Sequence, residues 1–213
     1  LVEVRAVSAN PVDCWIRQSA RRQPGTPVVL GVDATGIVCQ IGSAVTLFKP
    51  GDRVWYSGSF LRPGSSSPLH AVDERLVARM PESLDFAPAA ALPLTAITAW
   101  ELLFERMGIA REGSGMADEH ATLLVSGAAG GVGSVLVQLA RTLTDLTVIG
   151  TASREESADW VRAMGAHHVV DHHQPLSPQL AALGIPQVDF VASLTNTHRN
   201  LEALIEVIKP RGH

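Results

Sequence analysis

Residues 123–141, LLVSGAAGGVGSVLVQLAR, crowd small residues between two apolar runs, and the spacing Ala128-x-Gly130-x-x-Gly133 is one that can hold phosphates. In such a turn Gly130 lets the backbone approach a pyrophosphate, and Gly133 lets a helix lie close to the preceding strand. The N–H groups around Gly131 and Val132, with the helix dipole behind them, supply the donors for an anion. The same glycines could form a tight strand-to-helix turn with no ligand. Position favours the ligand, because the turn follows the first strand of a β-α-β-α series. No Gly-Lys-Ser/Thr ending follows, which argues against an ATP or GTP loop.

The end of the next strand indicates which dinucleotide. LTVIGTA runs into Ser153-Arg154, whereas an NAD site places Asp or Glu at the strand tip to accept from the ribose 2′-OH. A hydroxyl and a guanidinium suit a 2′-phosphate, and each charge-assisted contact contributes about 1.5–3 kcal/mol. Glu155 and Glu156 could compete for the ribose, but they read as acids in a first helical turn. The expected cofactor is NADPH.

The elements that carry these residues fall into two regions. From Leu1 to about Met80 the chain reads in short β segments: LVEVRAV alternates, GIVCQIG is a β-branched run between glycines, and the KPGD turn leads into RVWYSG. AVDERLVARM adds two short strands around a charged bend, and little helical periodicity appears, so a small β-barrel-like domain is predicted. After Pro81, LDFAPAAALPLTAITAWELLF is mostly helical, and residues 111–120 form a polar loop. Four strand-helix pairs follow. The first helix carries Val132, Leu136, Leu139 and Leu143 at apolar positions, and the last carries Leu201, Leu204, Ile205 and Ile208. That succession predicts an α/β domain with a doubly wound parallel sheet. The chain opens at Leu1 without methionine and closes on the turn Lys209–His213, which should lead into a fifth strand. A piece of a longer protein is expected.

Composition excludes several partners. Net charge is −4 with no basic block, so no nucleic-acid surface is expected. No apolar run reaches the roughly 18–20 residues of a membrane span, since Pro93 interrupts AAALPLTAITAW. Two cysteines, Cys14 and Cys39, cannot build a disulfide framework or a four-thiolate zinc site, and a reducing cytoplasm is the default. AHHVVDHH (166–173) holds four of the eight histidines, but adjacent residues on a strand point to opposite faces, which argues against a metal site there. His167, His168 and His173 are read as solvent-facing or packing residues.

GAAGGVG, SANPVD (8–13), KPGDRV, VDERLV and AAALPLTAITAW together resemble the medium-chain dehydrogenase/reductase superfamily. Within it they resemble the zinc-independent quinone oxidoreductase branch, related to zeta-crystallin and often labelled zinc-type alcohol dehydrogenase-like. The resemblance covers essentially the whole chain. It implies a GroES-like catalytic domain over residues 1–93, incomplete at its N-terminus, and an NAD(P)-binding Rossmann domain over 94–213, incomplete at its C-terminus.

True zinc alcohol dehydrogenases carry a Gly-His-Glu where this chain has Gly31-Val32-Asp33, and a cysteine where it has Asn10-Pro11-Val12-Asp13. Cys14 is nearby, with no histidine partner at the expected place, so no zinc is expected. By the same resemblance Asn10 and the backbone through Val12 border the nicotinamide, Thr98 touches it from the Rossmann domain, and Thr195 follows the fourth strand. His172 lies beside the adenine ribose phosphate. The expected cofactor-binding set is thus Asn10, Val12, Thr98, Gly130, Gly131, Val132, Gly133, Ser153, Arg154, His172 and Thr195.

With no metal to polarise a ketone, the natural hydride acceptors are already electrophilic: quinones or α,β-unsaturated carbonyls. Asn10 is the candidate catalytic donor to the oxygen that gains charge, and its competing role is a turn residue before Pro11. Asp13 is as ready to pair with an arginine as to touch substrate. Two departures mark the pocket: Trp15 replaces a tyrosine of some quinone reductases, and Ser66-Ser67-Pro68 replaces the Asn-Ala-Glu of nearer relatives. A homodimer is implied. The alternatives are a zinc-dependent alcohol dehydrogenase and a non-catalytic NADPH-binding redox sensor.

Overall fold

Alternating valines in VEVRAV build strand β1 (Val2–Val7), with Val2 turned into the core and Glu3 exposed. The computed structural model describes residues 1–19, 28–111 and 120–213, so most of the polar loop expected at 111–120 lies outside the described residues. The chain divides into two compact units, Leu1–Leu94 and Thr95–His213.

In the first unit β1 pairs antiparallel with β2 (Asp33–Val38) and β4 (Leu69–His70), while β2 continues to β3 (Arg53–Ser57) and β5 (Val77–Arg79). The resulting order is β4-β1-β2-β3-β5, a GroES-like β sheet. Val2, Ala34, Val38, Val54 and Tyr56 form its core. Central β2 contains Gly36 because a methyl there would strike the Glu3 carbonyl and the Val2 side chain. The KPGD turn closes on Gly51 at φ +93°, a left-handed conformation that costs glycine little.

Helix α1 (Pro11–Ser19) departs from the expectation of little helix in this region. Its start signals are local: Pro11 supplies the preset φ of a first helical residue, and Asp13 sits in the positive first turn. Short α2 (Phe86–Ala90) and α3 (Pro93–Trp100) follow, as the alanine-rich stretch predicts. Beyond Trp100 the helix widens to an i→i+5 turn, with Met107 N donating to the Leu102 carbonyl at 3.0 Å.

The second unit alternates β6 (Thr122–Ser126), α4 (Gly131–Leu143), β7 (Thr147–Thr151), α5 (Glu155–Ala163), β8 (His168–Val170), α6 (Leu176–Ala182), β9 (Phe190–Ser193) and α7 (Thr197–Val207). All strands pair in parallel in the order β8-β7-β6-β9. Leu123 and Val125 of β6 pack with Leu136, Val137 and Val161 of α4 and α5. Leu124, one residue out of phase, packs with Leu176 and Leu180 of α6 and Leu204 and Val207 of α7. Period-two alternation thus covers both sheet faces with helices, which makes this a doubly wound Rossmann sheet.

Two helices are turned slightly from the expected faces. On α4 the buried set is Gly133, Leu136, Val137 and Ala140, because the small residues let the helix lie against the sheet. On α7, Leu204 and Val207 are buried while Leu201 and Ile205 are exposed. The turn after α7 runs beside β9: His213 N donates to the Asp189 carbonyl at 3.0 Å, and Val191 N to that of His213 at 2.7 Å. Among the described residues no helix is long and apolar enough to cross a membrane.

Candidate functional site

The parallel strands deliver their C-terminal ends to one edge of the Rossmann sheet, where loops 127–130, 152–154, 171–174 and 194–196 emerge. From β6 the chain goes to β7 on one side and later returns to β9 on the other. A crevice at such a switch point is where open α/β sheets bind ligands. The glycine turn packs against Thr195 at this edge. A methyl on Gly127, which sits at φ +82°, would come within 2.9 Å of Thr195 Cγ2.

The glycine turn leads directly into α4. Gly130 N donates to the Gly127 carbonyl at 3.0 Å, and Ser134 N to that of Gly130 at 2.8 Å. Gly130 precedes the helix in an extended conformation and offers no side-chain cap. By helix geometry the amides of Gly131, Val132 and Gly133 then have no intrahelical acceptor, and they carry the positive end of the dipole. Gly133 lies against the turn so closely that a methyl would meet the Gly127 carbonyl oxygen, and Ala128 Cα at 2.7 Å. This open, donor-lined cradle fits a pyrophosphate.

Ser153 and Arg154 follow β7 after a single residue, Ala152. Arg154 precedes α5, its Nη2 donating to Ser157 Oγ at 3.3 Å, and Glu155 and Glu156 occupy the first helical turn. Ala152 N donates to the Val170 carbonyl at 3.0 Å, which sets the tips of β7 and β8 side by side. His172 is exposed in the turn after β8, edge-on to His173 with ring centroids 4.6 Å apart. Of the four clustered histidines, His167 has a packing role: its Nδ1 accepts from Val148 N at 2.9 Å. Thr98 is exposed on α3, one turn beyond Thr95. Sequence reasoning missed Thr95, whose Cγ2 lies 3.2 Å from where a Gly131 methyl would be. Nothing in a threonine on an apolar helix signals that contact in advance.

The first unit holds a separate polar cluster. Asp33 is fully buried. Its Oδ2 accepts from Ser8 Oγ and Asn10 Nδ2, both at 2.9 Å, and its Oδ1 accepts from Leu94 N at 2.8 Å. Burial pushes the Asp33 carboxyl above its usual range, against the pull of these three donors, and the neighbouring Asp13 adds to the rise. Asp13 accepts from Asn10 N at 2.8 Å and Gly31 N at 3.2 Å, so it is engaged with backbone rather than with an arginine. Val12, half-buried, sits in the first turn of α1 beside them. Asn10 Nδ2 also donates to Ser8 Oγ at 3.2 Å, so both its amide hydrogens are used internally. To serve as a donor to substrate, Asn10 would have to release one of them. A zinc site needs three S, N or O ligands around an open position. Among the described residues no three His, Cys, Asp or Glu side chains come together in that way.

Known proteins match both halves. The alcohol dehydrogenase GroES-like domain family covers residues 1–82, and the zinc-binding dehydrogenase family covers residues 131–213. A zinc-type alcohol dehydrogenase-like protein of Staphylococcus aureus is 43% identical over all 213 residues, which span 62% of its length. The crystal structure of a putative zinc-dependent alcohol dehydrogenase protein from Rhizobium etli superposes with a TM-score of 0.88 at 50% identity, covering 99% of this chain and 60% of that one. The Escherichia coli quinone oxidoreductase complexed with NADPH superposes at 0.82 and 29% identity, covering 99% of this chain and 62% of that one. With a GroES-like sheet followed by a Rossmann sheet and its glycine turn, the chain belongs to the medium-chain dehydrogenase/reductase superfamily. Within that superfamily it falls in the quinone oxidoreductase-like branch.

Proposed function

We propose that this chain forms the cofactor-binding and acceptor-binding parts of an NADPH-dependent oxidoreductase that delivers hydride to a quinone or an α,β-unsaturated carbonyl without a metal. The observation that carries this reading is the α4 cradle, uncapped by any side chain at Gly130, with Ser153 and Arg154 on the same sheet edge. It is supported by the likeness to a quinone oxidoreductase whose solved structure contains NADPH.

When bound, the dinucleotide supplies the hydride. The chain's own residues bind and orient it. Amides of Gly131, Val132 and Gly133 take the pyrophosphate, and Gly130 keeps the approach clear. Ser153 and Arg154 take the 2′-phosphate, with His172 adding a contact. Thr98, Thr195, Asn10 and the Val12 backbone border the nicotinamide half. A quinone or enone carries its own electrophilic centre, so the donor set around Asp33, in which its oxygens are already taken by Ser8, Asn10 and Leu94, is no obstacle to turnover. Cys14 and Cys39, exposed and not disulfide-bonded, fit a reducing compartment such as the cytoplasm.

Consumption of NADPH and NADH by the purified protein, against quinones, enones and saturated ketones in parallel, tests the proposal. Turnover of quinones or enones with NADPH supports it. Turnover confined to saturated alcohols and ketones would replace it with an alcohol dehydrogenase, and tight NADPH binding with no turnover would replace it with a redox sensor.

A further inference from the structure

Asn10 stands in a network whose hydrogen directions can be assigned by counting. An ionised carboxylate only accepts, so the Asn10 atom 2.9 Å from Asp33 Oδ2 is the amide nitrogen. Ser8 spends its one hydroxyl hydrogen on the same Oδ2 at 2.9 Å, so towards Asn10 it can only accept, and Asn10 Nδ2 gives it the second hydrogen at 3.2 Å. The backbone is held as well: Asn10 N donates to Asp13 Oδ2 at 2.8 Å, and the other Asp13 oxygen accepts from Gly31 N. Asp33 itself cannot turn away, because Leu94 N holds its Oδ1 at 2.8 Å and the side chain is fully buried. The side-chain atom left over on half-buried Asn10 is Oδ1, which no hydrogen bond among the described residues engages.

We infer that Asp33 is a positioning residue that turns both amide hydrogens of Asn10 inward, so that Asn10 meets its ligand as a hydrogen-bond acceptor and not as a donor to a developing oxyanion. This rests on the reading that Asn10 borders the nicotinamide half of the cofactor. The ligand group it selects is an N–H or O–H, as on a primary carboxamide or a ribose hydroxyl. The oxygen that gains charge during hydride transfer must then find its donors elsewhere, in backbone amides or water.

An exchange of donor and acceptor between the two positions tests this. Asp33→Asn leaves an oxygen for Leu94 N but turns an amide against the amide of Asn10, and NADPH affinity is expected to fall about tenfold. Asn10→Asp alone sets two carboxylates against each other and weakens binding at least as much. Combining Asn10→Asp with Asp33→Asn restores an inward donor–acceptor pair and an outward acceptor, and affinity is expected to return to within about threefold of the parent. A double variant no better than Asp33→Asn overturns the inference. Hydrogen exchange of the Asn10 side-chain amide, followed by nitrogen-15 NMR in the unsubstituted protein, needs no variant to fold. Protected hydrogens support the inward orientation, and exchange as fast as in an exposed asparagine overturns it. Failure of the unsubstituted protein to bind NADPH would overturn the functional reading instead, and the exchange measurement would still decide how Asn10 is held.

Discussion

Replacing Gly133 by alanine separates two roles of the glycine turn. The added methyl would lie 2.7 Å from both Cα and O of Ala128, and closer still to the Gly127 carbonyl oxygen. These are backbone atoms, so no side chain can rotate aside. Restoring ordinary contact near 3.4 Å requires helix and turn to part by more than about 0.7 Å, since the Gly127 oxygen is the nearest atom. Overpacking of this kind costs about 1–3 kcal/mol, and the better helix propensity of alanine returns up to about 1 kcal/mol. A net loss of about 1–2 kcal/mol corresponds to a melting temperature lower by roughly 2–8 °C for a chain of this size. The same displacement moves the α4 amides relative to one another, and NADPH affinity should drop at least tenfold. Gly130→Ala is the control. Its φ is −77° and its methyl would meet only the Gly127 oxygen, at 3.3 Å, so stability should change little. Affinity should still fall, because the methyl stands where the phosphates approach. Thermal unfolding and fluorescence titration of both variants provide the check. If Gly133→Ala melts and binds like the parent, the cradle argument is refuted.

Arg154→Gln should weaken NADPH binding about tenfold while leaving NADH within about twofold, read from parallel titrations. Equal effects on both dinucleotides would remove Arg154 from the 2′-phosphate site. His70 gives a pH dependence: its Nδ1 is 3.0 Å from the Tyr56 hydroxyl and its Nε2 3.1 Å from the Pro63 carbonyl, and burial holds its pKa below the usual value, with the nearby charge of Arg62 acting the same way against the Pro63 bond. A depressed folded-state pKa means that the unfolded chain takes up the proton first. The contribution is therefore complete above about pH 6.5 and is lost as the pH falls through the folded-state value. Melting temperature should decline from pH 7 to pH 5 more steeply in the parent than in His70→Gln, and parallel curves would exclude His70 as the cause. Lys209→Met should lower stability by at most about 1 kcal/mol in denaturant unfolding, since the Lys209–Asp189 pair at 2.7 Å is partly exposed and Asp189 keeps its bonds from Thr122.

The Rossmann half was readable from the residues because its signals are local. Period-two apolar runs alternate with helical ones, and the glycine turn marks the first crossover. The exact helix faces were less readable. On α4 the small residues Gly133 and Ala140 turn inward with Leu136 and Val137, which a search for large apolar residues alone would not find. In the GroES-like half, α1 escaped notice although Pro11 and Asp13 are good start signals, because the neighbouring segments read so clearly as strands. The Asp33 network lay beyond sequence reasoning altogether. It joins residues 8, 10, 33 and 94, and a hydrogen bond across 61 positions has no periodicity to reveal it. Asp33 is legible from sequence only as the residue where zinc enzymes carry glutamate, not as the acceptor that orients Asn10.

Turnover of a quinone with NADPH, measured with and without exhaustive chelation on protein of known metal content, decides whether hydride transfer proceeds without a metal. The rate should survive chelation, with a kcat/KM at least tenfold higher with NADPH than with NADH. Loss of turnover on metal removal, restored by zinc, would contradict metal-free transfer.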